Sequence, residues 1–532
     1  MEQPLDLPYD IAALRELVIK LQGEVQHLNA QKAHLHEQIR LLLHKRFGAH
    51  SEKYIAEQAD IFNEAEANAE NDSIGENDLP ENDKPPFVIE NSNLTKITAN
   101  KPGRKTLPAE LPRIEIIHDL ADDQKRCPEG HALKEIGTEI SEQLDIIPAK
   151  VQVLRHIRKK YACPCCGNGV KIAPMPPQPI PKSNASPALL AFVVTGKFLD
   201  GLPLYLQTKQ FDRIGVNLPR ATLANWMIRC GELIQPLINL MQEQINGYPI
   251  QQIDETRVQV LKEPGKAAST QSYMWIQRGG PPEQRIILFT YAPSRSQTIA
   301  EQLLQGYQGY LQTDGYAAYA NVCTKYGLRQ LGCWAHVRRK FDEALKAQGE
   351  NPLKANSIAS YALATIQKLY RIESEIKHLS SEQKRVIRQE SALPVLNEMR
   401  IWLDHVLTQI TPSSLTGTAL SYLAKQWSTL TVYCEDGRLE IDNNSVERAI
   451  RPFVIGRNNW LFTDTVNGAK ASANLYSLIE TAKLNGLEPY QYLCHVFAAL
   501  PKAQTIDDID QLLRWQIPDD AIITIPMNMQ VA

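Results

Sequence analysis

The segment Leu439–Phe462 reads LEIDNNSVERAIRPFVIGRNNWLF. It places three carboxylates, four side-chain amides and three arginines in a polar start followed by a helical pattern. Pro452 lacks a backbone donor and its ring clashes with the preceding turn. The pattern therefore predicts a short helix that ends near Arg451, with Glu447 close to its start.

Two interpretations of Glu447 remain open. Asn444 followed three residues later by Glu447 is a capping-box pattern, in which each side chain satisfies an amide of the first helical turn. Alternatively, Glu447 faces a cleft as one of several metal-binding carboxylates. The second interpretation needs acids earlier in the chain, and Asp254 in QQIDETRVQVL and Asp314 in GYLQTDGYAAYA are the candidates. The nearby candidates for phosphate contacts are Arg448, Arg451 and Arg457.

Length and composition indicate several domains, since 532 residues exceed what one core usually holds. No apolar run approaches the roughly 20 residues of a membrane helix, so no membrane partner is expected. The N-terminus, MEQPLDLPYD, has neither a cationic nor an apolar signal region. We therefore expect a cytoplasmic protein.

The net charge of -3 conceals segregation of charge along the chain. Between Glu57 and Asp83 there are ten acidic residues and no Lys or Arg. From Ile146 to Leu199 there is no acidic residue, against eight basic ones. The second segment attracts polyanions. Four of the nine cysteines also lie between Cys127 and Cys166, which in a reducing compartment indicates metal rather than disulfides.

Residues 1–54 carry a heptad repeat that predicts a coiled coil. Leucines recur every seven residues from Leu14 to Leu42, and the alternate seam positions are Val18, Val25, Lys32 and Ile39. Such seams favour two parallel strands, so we expect a homodimer or higher homo-oligomer. The alternative is an amphipathic helix folded against its own chain. Residues 55–100 are rich in Asn, Asp, Glu and Pro and predict an acidic, disordered linker.

Residues 101–172 combine a basic arm, KPGRKTLP, with two knuckles around a β-like stretch. Thiolates and an imidazole at this spacing could hold Zn²⁺ tetrahedrally, and the candidate ligands are Cys127, His131, Cys163 and Cys166. The first knuckle is atypical, because C-x3-H leaves Gly130 where a second Cys usually stands. A metal-free hairpin is the alternative. The candidate DNA contacts on the adjacent basic strand are Arg155, Arg158, Lys159 and Lys160.

Residues 173–247 begin with a stiff connector, APMPPQPIP. The following pattern predicts a helix, a turn at Gly215 and a second helix with Pro219 near its first turn. This arrangement is typical of a helix-turn-helix whose second helix would offer Arg220 to DNA. A helical hairpin that binds nothing is an equal alternative.

Residues 248–341 are β-rich. The pattern predicts strands over 250–261, 272–277, 285–291 and 309–313, a helix over 296–304, and a further strand entering a helix at RQLGCWAHVRRKFDEAL. In this mixed α/β layout, Asp254 and Asp314 could meet. Residues 342–430 are predicted to be a helical insertion. Residues 431–485 return to the core with Glu447, and residues 486–532 form a helical tail.

Phosphodiester chemistry suits two divalent cations about 3.5–4 Å apart, held by a few carboxylates. Mg²⁺ prefers oxygen ligands, water and substrate phosphate, so three acids suffice. Asp254, Asp314 and Glu447 meet that need at separations of 60 and 133 residues. Rival ligands are Glu255, Glu440 and Asp442, of which Asp442 is better explained as a turn or helix-cap group.

The chain resembles the transposase of the insertion sequence sixty-six family, a DDE transposase group with an RNase H-like core. The similar stretches include DETRVQVL, GYLQTDGYAAYA, GCWAHVRRKF, DGRLEIDNNSVERAIRPFVIGRNNWLF and YSLIETAKLNGLEPYQYL. The resemblance implies that Asp254, Asp314 and Glu447 bind two Mg²⁺ or Mn²⁺ ions. It also implies that residues 248–341 and 431–485 are two parts of the RNase H-like core.

We therefore expect a multidomain α+β protein that binds the ends of its own element and catalyses DNA strand cleavage and transfer. It would act in a bacterial cytoplasm, on the nucleoid, with accessory proteins of the element as possible partners. The alternatives are a non-catalytic DNA-binding regulator and an RNase H-like nuclease without joining activity. Cys333 and His336 in CWAH are either a buried structural pair or part of the site.

Overall fold

A computed structural model of the chain describes residues 11–47, 114, 143, 151–161, 171–348 and 357–517. The candidate zinc ligands Cys127, His131, Cys163 and Cys166 and the predicted linker 55–100 lie outside these residues. The chain divides into two compact units, residues 63–175 and the remainder. Among the described helices, none has the length and apolarity needed to cross a membrane.

The N-terminal helix, α1, spans Ile11–Phe47. Its described seam residues are all exposed: Val18, Leu21, Val25, Leu28, Leu35, Ile39 and Leu42. In the smaller unit, β1 (Lys160–Tyr161) pairs antiparallel with β2 (Lys171–Ile172). The Arg158 side chain donates from Nε to the Ala173 carbonyl at 2.6 Å. The predicted basic strand is therefore partly a short hairpin.

Between residue 171 and the main sheet, the structure describes α2 (Pro187–Phe198), α3 (Leu204–Arg213), α4 (Arg220–Leu233) and α5 (Gln235–Asn246). The turn between α3 and α4 contains Gly215 at a φ of 80°, and Pro219 directly precedes α4. Both helices of the predicted helix-turn-helix are thus present. Leu223, Trp226 and Met227 are buried on one side of α4, while Arg220 is exposed.

The main sheet has six strands: β3 (Ile250–Lys262), β4 (Gln271–Gly279), β5 (Ile286–Ala292), β6 (Tyr310–Gln312), β7 (Arg329–Leu331) and β8 (Thr463–Thr465). Its order is β5-β4-β3-β6-β7, and β8 pairs with the far end of β3. β3, β4 and β5 are antiparallel, whereas β6 and β7 run parallel to β3. The predicted strands and the mixed α/β layout are confirmed.

Helices connect the strands of the sheet and form the described part of the insertion. Helices α6 (Gln297–Leu303), α7 (Ala317–Tyr326) and α8 (Trp334–Ala347) connect the strands. The predicted insertion contains α9 (Ile358–Glu375), α10 (Ser381–Ile387), a π-helical turn (Arg388–Ala392), α11 (Leu393–Leu407) and α12 (Leu415–Leu430). After it come α13 (Asn444–Trp460), α14 (Val466–Leu484), α15 (Pro489–Ala499) and α16 (Ile506–Asp510).

A buried arginine joins the insertion to the chain before Glu447. Arg388 is only 2% exposed and contacts both carboxylate oxygens of Glu373, at 2.8 and 2.6 Å. It also donates to the carbonyls of Tyr433, Asp436 and Leu439 at 2.8, 3.0 and 3.0 Å. These bonds satisfy a guanidinium that would otherwise be costly to bury. They also fix the path of residues 433–439.

Helix α13 corrects the prediction that the chain leaves the helix near Arg451. The helix continues through Pro452 to Trp460. A mid-helix Pro costs about 3 kcal/mol, so the packing of the second half must outweigh that cost. Phe453 is fully buried, with its ring centroid 5.3 Å from that of Tyr476 and 5.7 Å from that of Trp460. Tertiary packing therefore overrides the local signal.

The capping-box interpretation of Asn444 and Glu447 is also wrong. The N-cap residue is Asn443, and its side chain makes no capping hydrogen bond. Asn444 is already the first helical residue, and its Nδ2 donates to Asp442 Oδ2 at 2.8 Å. Asp442 Oδ1 also accepts from the Asn444 N–H at 3.1 Å. Asp442 is thus the turn group that the sequence favoured, and Glu447 is free of any capping role.

Helix α14 closes the β5 edge of the sheet with its side chains. Ser477 and Thr481 on the helix and Asn485 at its C-cap lie four residues apart. They accept hydrogen bonds from the N–H groups of Phe289, Ile287 and Arg285, which lie two residues apart in β5 and directly before it. Four helical residues advance about 6 Å, and two strand residues advance about 6.6 Å, so the two series stay in register. Polar side chains thus replace a neighbouring strand, which satisfies the unpaired edge.

Thr481→Val should destabilise the fold. Thr481 Oγ1 accepts from the Ile287 N–H and donates to the Ile287 carbonyl, both at 3.0 Å. Valine keeps the shape but leaves both buried groups unpaired, so the free energy of unfolding should fall by about 1–3 kcal/mol in urea denaturation. Thr324→Val is the control, because that hydroxyl is exposed on α7. Equal effects of the two substitutions would contradict the proposed edge closure.

Candidate active site

The parallel pairing of β3 with β6 brings Asp254 and Asp314 to the same part of the sheet. Gln252 lies opposite Gln312, and Gln252 Nε2 donates to Gln312 Oε1 at 2.7 Å in the interior. Side chains alternate between the faces of a strand, so Asp254 shares the face of Gln252. Asp314 follows Gln312 by two residues, just beyond the end of β6. Asp314 follows Asp254 by 60 residues, as Gln312 follows Gln252, so the two acids continue the same parallel register.

Asp254 lies in a strongly acidic environment. Burial, and then the negative charges of Glu255, Asp314 and Glu447, together raise its pKa to about 8. The N–H of Glu255 donates to Asp254 Oδ1 at 2.8 Å, which opposes these effects. The three predicted carboxylates are thus close enough to interact electrostatically, although they are far apart in sequence.

Glu447 occupies the first turn of α13 and faces α8. Its Oε1 lies 3.7 Å from His336 Nε2, and its Oε2 lies 3.4 Å from Arg339 Nη2. Burial lowers the pKa of His336, against the attraction of Glu447. His336 Nδ1 is buried and has no hydrogen-bond partner among the described residues. His336 therefore contacts the candidate carboxylate Glu447, which favours the second of the two alternatives for this residue.

Cys333 has a different environment from His336. It is buried, and its Sγ accepts from the Asn443 N–H at 3.2 Å. The N–H of Trp334 donates to the Ile441 carbonyl at 3.2 Å. These bonds tie the start of α8 to the start of α13. Cys333 thus has a structural contact, which supports one of the two alternatives for this residue.

Asp314 is held by two neighbours. Its Oδ1 accepts from the Tyr316 N–H at 2.9 Å, and its Oδ2 lies 3.4 Å from Arg295 Nη2. Arg295, on the loop between β5 and α6, was not singled out in the sequence. Nothing in the loop sequence YAPSRSQ indicates that it reaches the acids, because the contact depends on the tertiary fold.

The rival ligands have other partners. Glu255 bonds Arg295 and Tyr319 through its two oxygens. Glu440 accepts from Gln252 at 3.1 Å and from Ser445 at 2.5 Å. Burial opposes ionisation of Glu440, but Arg278 together with these hydrogen bonds holds its pKa below the ordinary value. Asp442 is used in the turn before α13. All three rival carboxylates therefore have structural partners within the fold.

The donor chemistry of the predicted set fits a hard divalent cation. Three carboxylates supply oxygen ligands, which Mg²⁺ prefers. Burial first, and then the neighbouring negative charges, raise the pKa of Asp254, and a bound cation would favour its ionised form. Within the described ranges, no group of three His, Cys, Asp or Glu side chains already has the spacing of a metal site. The carboxylates instead turn to their local partners, so binding would require them to reorient.

The predicted phosphate contacts differ in their surroundings. Arg448 is exposed on α13, with its Nη2 3.5 Å from Ser445 Oγ. Arg451 is partly buried on the same helix. Arg457 donates to Thr256 Oγ1 at 3.2 Å and to the Arg257 carbonyl, which joins α13 to β3. Burial, and then the charge of Arg257, lower the pKa of Arg457. Arg457 therefore also has a role within the fold.

Comparison with known families covers most of the chain. Residues 182–471 match the model described as Transposase IS66 family. Residues 124–167 match the zinc-finger binding domain of transposase IS66, and residues 477–515 match the IS66 C-terminal element. Residues 34–116 match a model described as Transposase C of IS166 homeodomain. The zinc-finger match covers all four candidate zinc ligands.

The chain is also similar to two relatives over most of its length. The uncharacterized protein y4jD of Sinorhizobium fredii is 34% identical over 428 residues, which cover 78% of this chain and 82% of the relative. The uncharacterized protein y4qI of the same organism is 31% identical over 451 residues, which cover 81% of each chain. Since the first family model alone spans more than half of the sequence, the chain belongs to the IS66 family of transposases.

Proposed function

We propose that this protein is a DDE-type transposase that binds the ends of an insertion sequence and catalyses metal-dependent strand cleavage and strand transfer. Asp254, Asp314 and Glu447 are its metal-binding catalytic carboxylates. The observation that carries the proposal is their convergence: Asp314 and Glu447, which follow Asp254 by 60 and 193 residues in sequence, both raise its pKa. The sheet order, three antiparallel strands followed by two parallel ones, supports an RNase H-like core.

The chemistry would be shared between the ions and the chain. Two bound Mg²⁺ or Mn²⁺ ions would activate the attacking oxygen, first of water and then of a DNA 3′-hydroxyl, and stabilise the leaving oxygen. The three carboxylates would hold these ions beside the reacting phosphate. Without metal ions, Arg339 and His336 hold Glu447 through the contacts described above. The Tyr316 amide fixes one oxygen of Asp314.

DNA binding extends beyond the site. The proposed phosphate contacts are Arg155, Arg158, Lys159, Lys160, Arg220, Arg448, Arg451 and Arg457. Such contacts weaken steeply with salt, because each displaces counterions from DNA. We propose Cys127, His131, Cys163 and Cys166 as ligands of a structural Zn²⁺, consistent with the zinc-finger family match.

Self-association completes the proposal. The described seam residues of α1 are exposed in the single chain, including Leu21 and Leu28 at 49% and 61%. Pairing two such helices would bury the seam in a coiled coil. A dimer would also bring two element ends together, which joining chemistry requires.

Asp314→Asn should abolish Mg²⁺-dependent strand transfer while DNA-end binding persists, because the amide keeps the shape but loses the charge that a cation needs. The measurement incubates the full chain with labelled element ends and a target plasmid. Joined product indicates a transposase, cut product alone a nuclease, and a shifted band alone a DNA-binding regulator. Asp404→Asn, an exposed acid paired with Arg400 on α11, is the control. Transfer by the Asp314 variant would remove Asp314 from the mechanism.

The metal-free protein should lose stability as pH rises. Native Asp254 has its pKa raised to about 8, while an unfolded Asp titrates near about 3.9. Between these values the native state holds a proton that the unfolded chain has lost, so the free energy of unfolding should fall from about pH 4 to pH 8.

Asp254→Asn should flatten this dependence. Urea denaturation in chelator, at about pH 6 and pH 8.5, compares the two proteins. Mg²⁺ should then stabilise the wild type more at the higher pH, since the ion competes with the proton. It should have a much smaller effect on the variant. Identical pH dependences in wild type and variant would contradict this account of Asp254.

A further inference from the structure

Arg295 occupies the rim of the acidic site. It lies three residues after β5, and its guanidinium carbon is 3.9 Å from the centroid of the Tyr316 ring. The Tyr316 hydroxyl donates to the Arg295 carbonyl at 2.8 Å. Both the backbone and the side chain of Arg295 are thus held against Tyr316, two residues after Asp314.

A buried carboxylate orients this guanidinium. Glu255 is adjacent to Asp254 on β3, so its side chain points to the opposite face, shared with Ile253. The Glu255 side chain is 3% exposed, and its Oε1 accepts from Arg295 Nε. Its Oε2 accepts from the Tyr319 hydroxyl. With both oxygens engaged, Glu255 serves as an anchor for the arginine rather than as a metal ligand.

The anchored guanidinium still has donors to offer. Nε is committed to Glu255, and Nη2 lies 3.4 Å from Asp314 Oδ2. An arginine has five N–H donors in a planar fork. Across the part of the chain that the structure describes, Nη1 makes no hydrogen bond to the protein, and the side chain is 37% exposed. A cationic fork therefore faces solvent directly beside Asp314.

We infer that Arg295 binds a DNA backbone phosphate at the site and that Glu255 is the positioning residue that aims it there. This inference rests on the proposed function. Three carboxylates repel a phosphodiester, and a guanidinium fixed at their rim offsets that repulsion and matches phosphate geometry. Without a phosphate, Arg295 pairs with Asp314. When DNA binds, the uncommitted Nη1 and then Nη2 of the guanidinium turn to the phosphate, with or without metal ions.

Salt-dependent DNA binding tests the contact without requiring catalysis. The full chain is titrated in chelator against a duplex of the terminal repeat that flanks its gene, over a range of salt concentrations. Arg295→Gln should reduce the slope of log affinity against log salt by about 0.9, the value of one phosphate contact. Arg295→Lys keeps the charge and should restore most of the slope.

Arg329→Gln is the matched control. Arg329 also forms a two-point pair with a glutamate, Glu435, but at the beginning of β7, the opposite end of that strand from the acidic site. Its substitution removes the same charge and should leave the slope unchanged. An Arg295→Gln slope equal to that of the wild type would overturn the inference. Equal losses for Arg295→Gln and Arg329→Gln would also overturn it, since only net charge would then matter.

Glu255→Gln tests the positioning role. The amide keeps the size of the side chain but weakens its hold on Arg295, so the slope should fall toward that of Arg295→Gln. In the double variant, Arg295→Gln should cause little further change, because both substitutions remove the same contact. Additive losses would assign Glu255 another role.

The same experiments separate the inference from the proposed function. A wild type that binds the duplex but neither cuts nor joins it refutes the transposase proposal, while the salt slopes still report on Arg295. A wild type that joins DNA, together with an unchanged slope for Arg295→Gln, refutes the inference alone.

Discussion

The position of Glu447 depends on the buried guanidinium of Arg388. Arg388 joins Glu373 of the insertion to three carbonyls of the segment that precedes α13. Removing one partner of a buried ion pair typically costs about 3–5 kcal/mol, because the other charge is left uncompensated. Tyr370 adds a second link from the insertion, through its hydroxyl to Asp442 at 2.8 Å. The helical insertion therefore supports the segment that carries Glu447, the third candidate carboxylate, from outside the sheet.

The sheet thus positions two of the candidate carboxylates, and the insertion supports the third. The register between β3 and β6 fixes the relation of Asp254 to Asp314 through the backbone. Glu447 arrives on a helix whose start is tied to α8 by Cys333 and to the insertion by Asp442. Neighbouring residues on β3 also face in different directions, so Asp254 serves the acidic site while Glu255 anchors Arg295 from the opposite face.

Much of the core could be predicted from the sequence, because alternating apolar residues bounded by turns mark strands reliably. Strand β3 was expected at 250–261 and spans Ile250–Lys262. The local rules failed at Pro452, where the burial of Phe453 outweighs the cost of the proline. They also gave no sign of Arg388 or Arg295, since each acts through groups that only the tertiary fold brings near. The domain boundaries, the coiled coil, the zinc ligands, the metal-binding carboxylates and the DNA contacts stay predictions.

The closure of β5 by α14 has a consequence for synthesis. The strand leaves the ribosome well before the helix that pairs with its edge, roughly 190 residues later. At about 5–20 residues per second, that edge waits about 10–40 s for its partner. During this interval the nascent chain presents free amides and carbonyls at β5, open to pairing with another polypeptide. Two chains made on one messenger are thus most prone to misassociate before residue 485 has emerged.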